Sequence, residues 1–592
     1  MYTFKPYTDR VARLRDAVRD RVMVADASKA RIQLDAEYKY ANYPPILKRA
    51  YSTLYVMERI HLNIQPDEFF VGGMGNKGWG AAFGERWIDA DIENTWPIEA
   101  DGLHHAPDDD PFYSHQKMAI SPEDVKALRE IRAERMSNNG GIWPEDWLPD
   151  GAKEFFATQA TDYGKIGGWP LHLPPGHLTP GYQHIIRQGY GAIRKKAQDW
   201  LDAHEGNIMG DDMGKYMFYK AAAVSCDAAE TLSRRYAAML RELAEGDVTP
   251  EIKAEYLDRA DSLDWIATET PRTFWEACQM AMLYDSFLKT DNDPCVISIG
   301  RFDQYTWPFL KADLEAGRIT EEEAQEYVDG FFLKINTFYG GGFGKTIQTS
   351  GIGNSFQHTT IGGMIPETGE DAVNPVSYMV LESVARLNLH DPTISLRVTK
   401  NTPKEMWDCA MACSARVGGL PLLQNDEVIV PALQRELGFS EYDARDFAFI
   451  GCQEVTGFGN DYPAPNGSAM GHNGIFWAIV LDMAINNGIN PLNREGKIQG
   501  PETGYLYEME SMDEVLEAVK TQFYFWMPWH ANCTNTWESI AAFHTPLPMV
   551  SATFSGCMES GKDVMWGGAM FNSTGNSCIG VGNVAESLNV ID

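Results

Sequence analysis

The chain has 592 residues, 44% of them hydrophobic and 11% aromatic, and contains no low-complexity tract. This is a globular composition in a chain longer than an ordinary single domain, so it reads as one large α/β architecture or several domains. A formal net charge of −33 argues against nonspecific binding to nucleic acid or to an anionic membrane, since both are polyanions.

Taken in order, the N-terminus from Met1 to Pro6 lacks the apolar region of a signal peptide. Helices are predicted over 10–25, where Leu14, Val18 and Val22 recur at helical spacing, and over 45–60, where Pro45 suits a first turn. A short strand is predicted over 69–73. His104-His105, followed by Asp108 to Asp110, is read as a solvated acidic loop, because no further spaced ligand supports a metal site. Ser121 caps a helix over 121–136. A turn-rich loop, 174–182, feeds a helix over 183–203. His177 in that loop reads equally as a substrate-facing acid/base group or as a turn histidine bonded to backbone. Long helices follow over 212–245 and 250–266, and another opens at Thr273. Residues 295–300, which include Cys295 and Ser298, alternate like a strand. The helix over 320–338 has an acidic first turn, Glu321-Glu322-Glu323, favourable at the positive end of the helix dipole. Gly340 to Thr346 looks like a phosphate loop but fails: Tyr339 stands where the pattern needs glycine, and a helix precedes it instead of a strand.

From Thr359 strands and helices alternate. Strands are predicted over 359–363, 393–398, 420–423 and 447–450. Helices are predicted over 376–387, 403–417, 428–437, 440–445 and 472–487. Such alternation predicts a parallel α/β sheet or barrel, whose sites lie at the carboxyl ends of strands. Cys452 follows such an end. If 447–454 is extended, Cys452 and Glu454 share a face and Gln453 points away. Read alone, this cysteine is more readily a small buried hydrophobe than a reactive thiol. The nine cysteines are scattered, without C-x2-C pairs, and no metal site is expected. Free thiols suit a cytoplasmic protein. The apolar stretch 475–485 is too short for a bilayer and is broken by Asp482, so no membrane partner is expected.

Five stretches in order resemble the glycyl radical enzymes, the pyruvate formate-lyase-like superfamily. They are Pro271 to Ala277; Arg301-Phe302-Asp303-Gln304-Tyr305 with Pro308; Asn425 to Leu433; Gly451-Cys452-Gln453-Glu454; and Gly561-Lys562-Asp563 with Gly567 to Ala569 and Asn583 to Leu588. The resemblance implies an α/β barrel of two parallel half-barrels surrounded by helices, as one domain over 1–592, helical to about residue 270 and carrying the cysteine loop from about 271. It implies that a backbone glycyl radical oxidises Cys452 to a thiyl. The thiyl takes a hydrogen atom from a small organic substrate, Glu454 handles protons, and a C–C, C–O or C–N bond is cleaved. It also implies a radical S-adenosylmethionine activating enzyme and a homodimer. His177 matches the family's G-H-x-x-P-x-Y loop. With Cys295, Ser298 and Asp461 it completes the substrate contacts expected from the resemblance.

Within the family, the single cysteine after Gly451 speaks against formate acetyltransfer and for the G-C-x-E group of dehydratases, decarboxylases and lyases. Cys295 stands near where diol dehydratases carry a histidine, which weakens a diol substrate. Addition to fumarate, as in the arylalkylsuccinate synthases, and a non-catalytic binding relative are the alternatives. Gly556-Cys557-Met558-Glu559 repeats the G-C-x-E pattern but falls where the family has a non-catalytic segment. Arg416-Val417-Gly418-Gly419 mimics the radical-bearing motif but precedes the cysteine loop, so it is read as a helix-to-strand turn. No R-V-x-G-Y motif follows Cys452 before Asp592, so the sequence as it stands is expected to lack the glycyl radical domain and not to form that radical alone.

Overall fold

The computed structural model describes residues 2–75, 78–79, 81–82, 92–107, 117–139, 147–150, 178–292, 297–338, 357–389, 391–451, 453–462, 474–490, 499–573 and 577–591. The phosphate-loop mimic, residues 340–346, lies outside them, as does the Asp108–Asp110 acidic run. The chain forms two compact units. The first comprises Met1–Gly140, Gly176–Tyr462 and Pro546–Ser573; the second comprises Gly141–Pro175, Pro463–Thr545 and Thr574–Asp592.

The first unit opens with a helix, Asp9–Asp20, capped by the Thr8 hydroxyl. This helix is shorter than the periodicity predicts. Val22–Asp26 (β1) leaves it as a strand, parallel to Ala81–Ala82 (β2) on one side and to Lys117–Ile120 (β4) on the other. His104–His105 (β3) adds antiparallel to β4. The run Val22-Met23-Val24 is β-branched at alternate positions and buries Met23, Ala25, Met118 and Ile120 against Leu34, Leu128 and Ile131. The two histidines are tied locally. His104 Nδ1 lies 2.9 Å from the Trp96 carbonyl oxygen, and His105 Nε2 lies 2.9 Å from Asp101 Oδ2.

The strand predicted over 69–73 does not form. Gln279 replaces the missing neighbour, accepting from the Val71 amide at 2.9 Å and donating to the Val71 carbonyl at 2.8 Å. One buried side chain thus satisfies backbone groups that a ladder would otherwise pair.

A 33-residue helix, Asp212–Ala244, is the axis of the helical region. It packs against Pro45–Met57, Tyr182–Ala203 and Pro250–Ile266. Ala221, Ala222, Ala228, Ala229 and Ala237 are buried on it, and small side chains let neighbouring backbones approach closely. The helix Glu321–Ile335 starts on a capping box. Thr320 Oγ1 accepts the Glu323 amide, and Glu323 accepts the Thr320 amide at 2.8 Å.

The barrel portion holds three parallel strands, His358–Gly362 (β5), Thr393–Val398 (β6) and Leu422–Asn425 (β7), in that order. Single parallel bridges, Gly300 with Thr359 and Ile297 with Leu178, continue the same layer on the β5 side. All of β5 and all but the first residue of β6 are buried, as expected of parallel strands covered on both faces. The helix Lys404–Val417 ends on Gly418 in the left-handed conformation, before β7. The radical-motif mimic is therefore a helix C-cap.

The second unit carries a parallel strand pair, Gly474–Phe476 (β10) with Ser577–Ile579 (β11). The helix Trp477–Ile485 follows β10, so the single helix expected over 472–487 is instead a strand and then a shorter helix. Val480, Met483 and Trp526 pack with Leu148. Leu481 and Ala484 pack with Ala518, Val519 and Val584, joining the helices Met512–His544 and Val581–Ile591. Among the described residues no helix is long and apolar enough to cross a membrane.

Candidate active site: a clamped hairpin at a strand end

Ala448–Ile450 (β8) and Glu454–Thr456 (β9) form an antiparallel hairpin in which Ile450 pairs with Glu454 and Phe449 with Val455. Residues 451–453 join them. The expectation of one extended run from 447 to 454 is thus corrected: the Gln453 amide donates to the Ile450 carbonyl at 2.9 Å, and the chain reverses. Gly451 has φ 41° and Gln453 φ 125°. Glycine adopts such a φ freely, but glutamine pays about 1–3 kcal/mol, a strain that folded proteins concentrate at functional turns. Glu454 is half-buried and opens the return strand.

Two buried arginines hold the chain that feeds β8. Arg397, at the end of β6, makes a two-pronged pair with Asp426: Nε to Oδ1 at 2.9 Å and Nη2 to Oδ2 at 2.6 Å. It also donates to the carbonyls of Phe447 at 2.7 Å and Arg445 at 2.8 Å, with its guanidinium 3.7 Å above the Phe447 ring centroid. Arg301 pairs with Asp446 at 2.7 Å and donates to the carbonyls of Gly362 and Met364. Asp303 accepts the Gly362 amide at 2.8 Å and the Ser377 hydroxyl at 2.5 Å. The Arg301-Phe302-Asp303 stretch is therefore a brace linking the end of β5 to the approach of β8. Charges this deeply buried are tolerated only where they are paired or hydrogen-bonded.

The turn is held by side chains from the neighbouring strands. Ser298, fully buried, accepts the Gly451 amide at 3.2 Å. His358, at the start of β5, has Nδ1 2.9 Å from the Gly451 carbonyl oxygen and Nε2 2.8 Å from Ser395 Oγ on β6. The carbonyl only accepts, so Nδ1 carries the proton and the Ser395 hydroxyl donates to Nε2. Burial pushes the His358 pKa down to about 4, while the bond to Gly451 opposes the shift, so the ring is neutral at pH 7. The Phe449 amide donates to Thr360 Oγ1 at 3.1 Å. Gly300 has φ 69° and faces the Phe458 ring so closely that a Cβ there would collide with it.

Of the residues singled out from sequence, Cys452, His177 and Cys295 lie outside the described residues. Glu454 opens the second strand of the hairpin, and Ser298 bonds the Gly451 amide in its turn. Asp461 is buried, and its carboxylate is engaged within the protein. Oδ1 accepts the Ser573 amide at 3.0 Å, and Oδ2 accepts the hydroxyls of Ser573 at 2.7 Å and Thr456 at 3.3 Å. Sequence reasoning missed His358 and Thr360. The signal was available: Gln357-His358-Thr359-Thr360 is a polar run in a strand expected to be buried, and buried polar groups require partners.

The family model for pyruvate formate lyase-like proteins matches residues 6–592. The chain is 28% identical to the (2S)-3-sulfopropanediol dehydratase of Klebsiella oxytoca, over 99% of this chain and 69% of that protein. It is 28% identical to the trans-4-hydroxy-L-proline dehydratase of Clostridioides difficile, over 92% of this chain and 66% of that protein. Among solved structures, the glycerol-bound B12-independent glycerol dehydratase of Clostridium butyricum superposes with a TM-score of 0.86 at 26% identity, covering 99% of this chain and 71% of that one. The chain thus spans about two-thirds of the length of the curated relatives it matches. With its helix-wrapped parallel strands and Gly-Cys-x-Glu hairpin, it belongs to the pyruvate formate lyase-like family.

Proposed function

We propose that this chain carries the reactive-cysteine barrel of a glycyl radical lyase, with Cys452 as the hydrogen-abstracting thiol and Glu454 as its proton-transfer partner. One observation carries the reading. In a chain matched by the family model almost throughout, Gly451-Cys452-Gln453-Glu454 falls on a strained hairpin fixed at a strand end by buried side chains. A protein glycyl radical, the group this family uses, supplies one-electron oxidation of the thiol. The surroundings fit such chemistry: Ala448, Phe449, Ile450 and Gly451 are buried, and neutral His358 brings no charge to the turn.

Cys452, once oxidised, takes a hydrogen atom from a substrate carbon: the S–H bond forms as the C–H bond breaks. Glu454 accepts a proton from the substrate or donates one to the group that leaves. The bond beside the substrate radical breaks as the leaving group departs, and the hydrogen atom returns from sulfur to the product radical, which restores the thiyl. Ser298, and His177 and Cys295 on their segments, are the proposed substrate contacts. A radical S-adenosylmethionine activating enzyme, a homodimeric state and a cytoplasmic location complete the reading by similarity to the family.

Supplied with a glycyl radical domain of the family and activated anaerobically, the protein is assayed against glycerol, propane-1,2-diol, 3-sulfopropanediol, trans-4-hydroxy-L-proline and isethionate. Turnover of at least one by loss of water or sulfite supports the reading. Inactivity on all five, in a preparation whose glycyl radical is present by electron paramagnetic resonance, contradicts the lyase assignment.

A further inference from the structure

We infer that His358 and Ser298 are positioning residues that clamp Gly451 through its carbonyl and its amide and so set the reactivity of the neighbouring cysteine. This rests on the reading of Cys452 as the working thiol. Gly451 is the only residue of the 451–453 turn that is both described and free of a side chain of its own, and both of its backbone polar groups are taken. Its amide donates to Ser298 Oγ at 3.2 Å, and its carbonyl accepts from His358 Nδ1 at 2.9 Å. That carbonyl opens the peptide bond that leads on from Gly451, and a peptide group is planar, so holding the oxygen limits how Gly451 can turn.

The clamp is braced from behind. Ser395 fixes the tautomer of His358 through Nε2. His358 sits at the start of β5, in register with Thr393 of β6, and its own carbonyl accepts the Ile299 amide at 2.8 Å. Ser298 is anchored by its amide, which donates to the Leu178 carbonyl at 3.0 Å. Both residues are fully buried, so neither bond competes with water. Three neighbouring segments of one layer thus converge on a single glycine. A glycine with φ 41° has no side chain to hold it, and without the clamp the turn is free to sample other conformations.

The test uses the full chain, held anaerobic, and follows iodoacetamide labelling of Cys452 by peptide mass spectrometry, with exposed Cys578 as the internal control. His358→Phe keeps a flat ring but removes both hydrogen bonds. His358→Asn keeps a donor near the position of Nδ1. The clamp predicts that His358→Phe raises the Cys452 labelling rate about tenfold, the loosening expected from one lost hydrogen bond to a buried carbonyl. His358→Asn stays within about twofold of the native rate, and Cys578 labels equally in all forms. If circular dichroism shows that His358→Phe does not fold, Ser298→Ala takes its place with the same expected direction. Equal Cys452 rates in the native chain and the clamp-less variant, or an Asn variant as fast as the Phe variant, would overturn the inference. Labelling is read without turnover, so this result and that of the substrate panel fail independently.

Discussion

The chain contains the pattern Gly-Cys-x-Glu twice, and the two copies fold differently. Gly451 to Glu454 makes a hairpin turn, with Glu454 at the head of a strand and Gly451 gripped by Ser298 and His358. In Gly556 to Glu559, Gly556 has φ 95° and precedes a single helical turn, Cys557–Ser560. There Glu559 turns back to accept the Gly556 amide at 2.8 Å and pairs with Lys196 at 2.5 Å on the surface. Cys557 is fully buried, and burial pushes its thiol pKa far up. The same four letters thus give a strand-end turn in one place and a helix cap over a buried thiol in the other. The pattern alone does not set how the segment folds; the strands on either side and the side chains reaching into the turn do.

The sharpest way to break this contrast is through the two glutamates. Glu454→Gln is expected to lower kcat about 10²–10⁴-fold, the usual worth of a positioned proton-transfer group. Glu559→Gln should leave turnover within about twofold, because an exposed pair contributes little. Next comes the brace under the first copy. Asp426→Ala leaves Arg397 buried without its carboxylate and should cost about 3–5 kcal/mol in urea unfolding, with no counterpart at the second copy.

His358 gives a pH signature. Its folded pKa, about 4, lies below the ordinary value of 6.5. The stability it contributes is therefore complete above pH 6.5 and is lost as pH falls toward 4, in all about 3 kcal/mol. His358→Asn should flatten that part of the stability profile, measured by denaturant unfolding between pH 7 and 4. The smallest effect belongs to the second copy. Glu559→Gln should destabilise by only about 1 kcal/mol, through its cap and its surface pair.

Much of the scaffold was legible from sequence because its signals are local. Pro250–Ile266 follows from a Thr-Pro start and its periodicity, and the Thr320–Glu323 capping box announces its helix. Thr393–Val398 carries Thr393, Ile394 and Val398 in an alternating run and has the predicted bounds. What sequence could not supply depended on distant partners. β10 looked helical because the strand it pairs with lies about a hundred residues further on. The 69–73 stretch looked like a strand because Gln279, which satisfies its backbone, is far along the chain. At the site, the Gly-Cys-x-Glu pattern could be read, but the turn could not: a positive φ at Gln453 has no residue-type signature. Nor does a lone histidine in a buried strand reveal that its two nitrogens link β6 to the turn.

The central claim is that the hairpin copy of Gly-Cys-x-Glu, and not the helical copy, bears the working thiol. Anaerobic turnover of the activated protein on whichever substrate of the panel it accepts tests this directly, comparing Cys452→Ser with Cys557→Ser. The account predicts no product from Cys452→Ser under conditions where Cys557→Ser, once shown to be folded, retains turnover. Product from Cys452→Ser at a rate comparable to the native protein would contradict it.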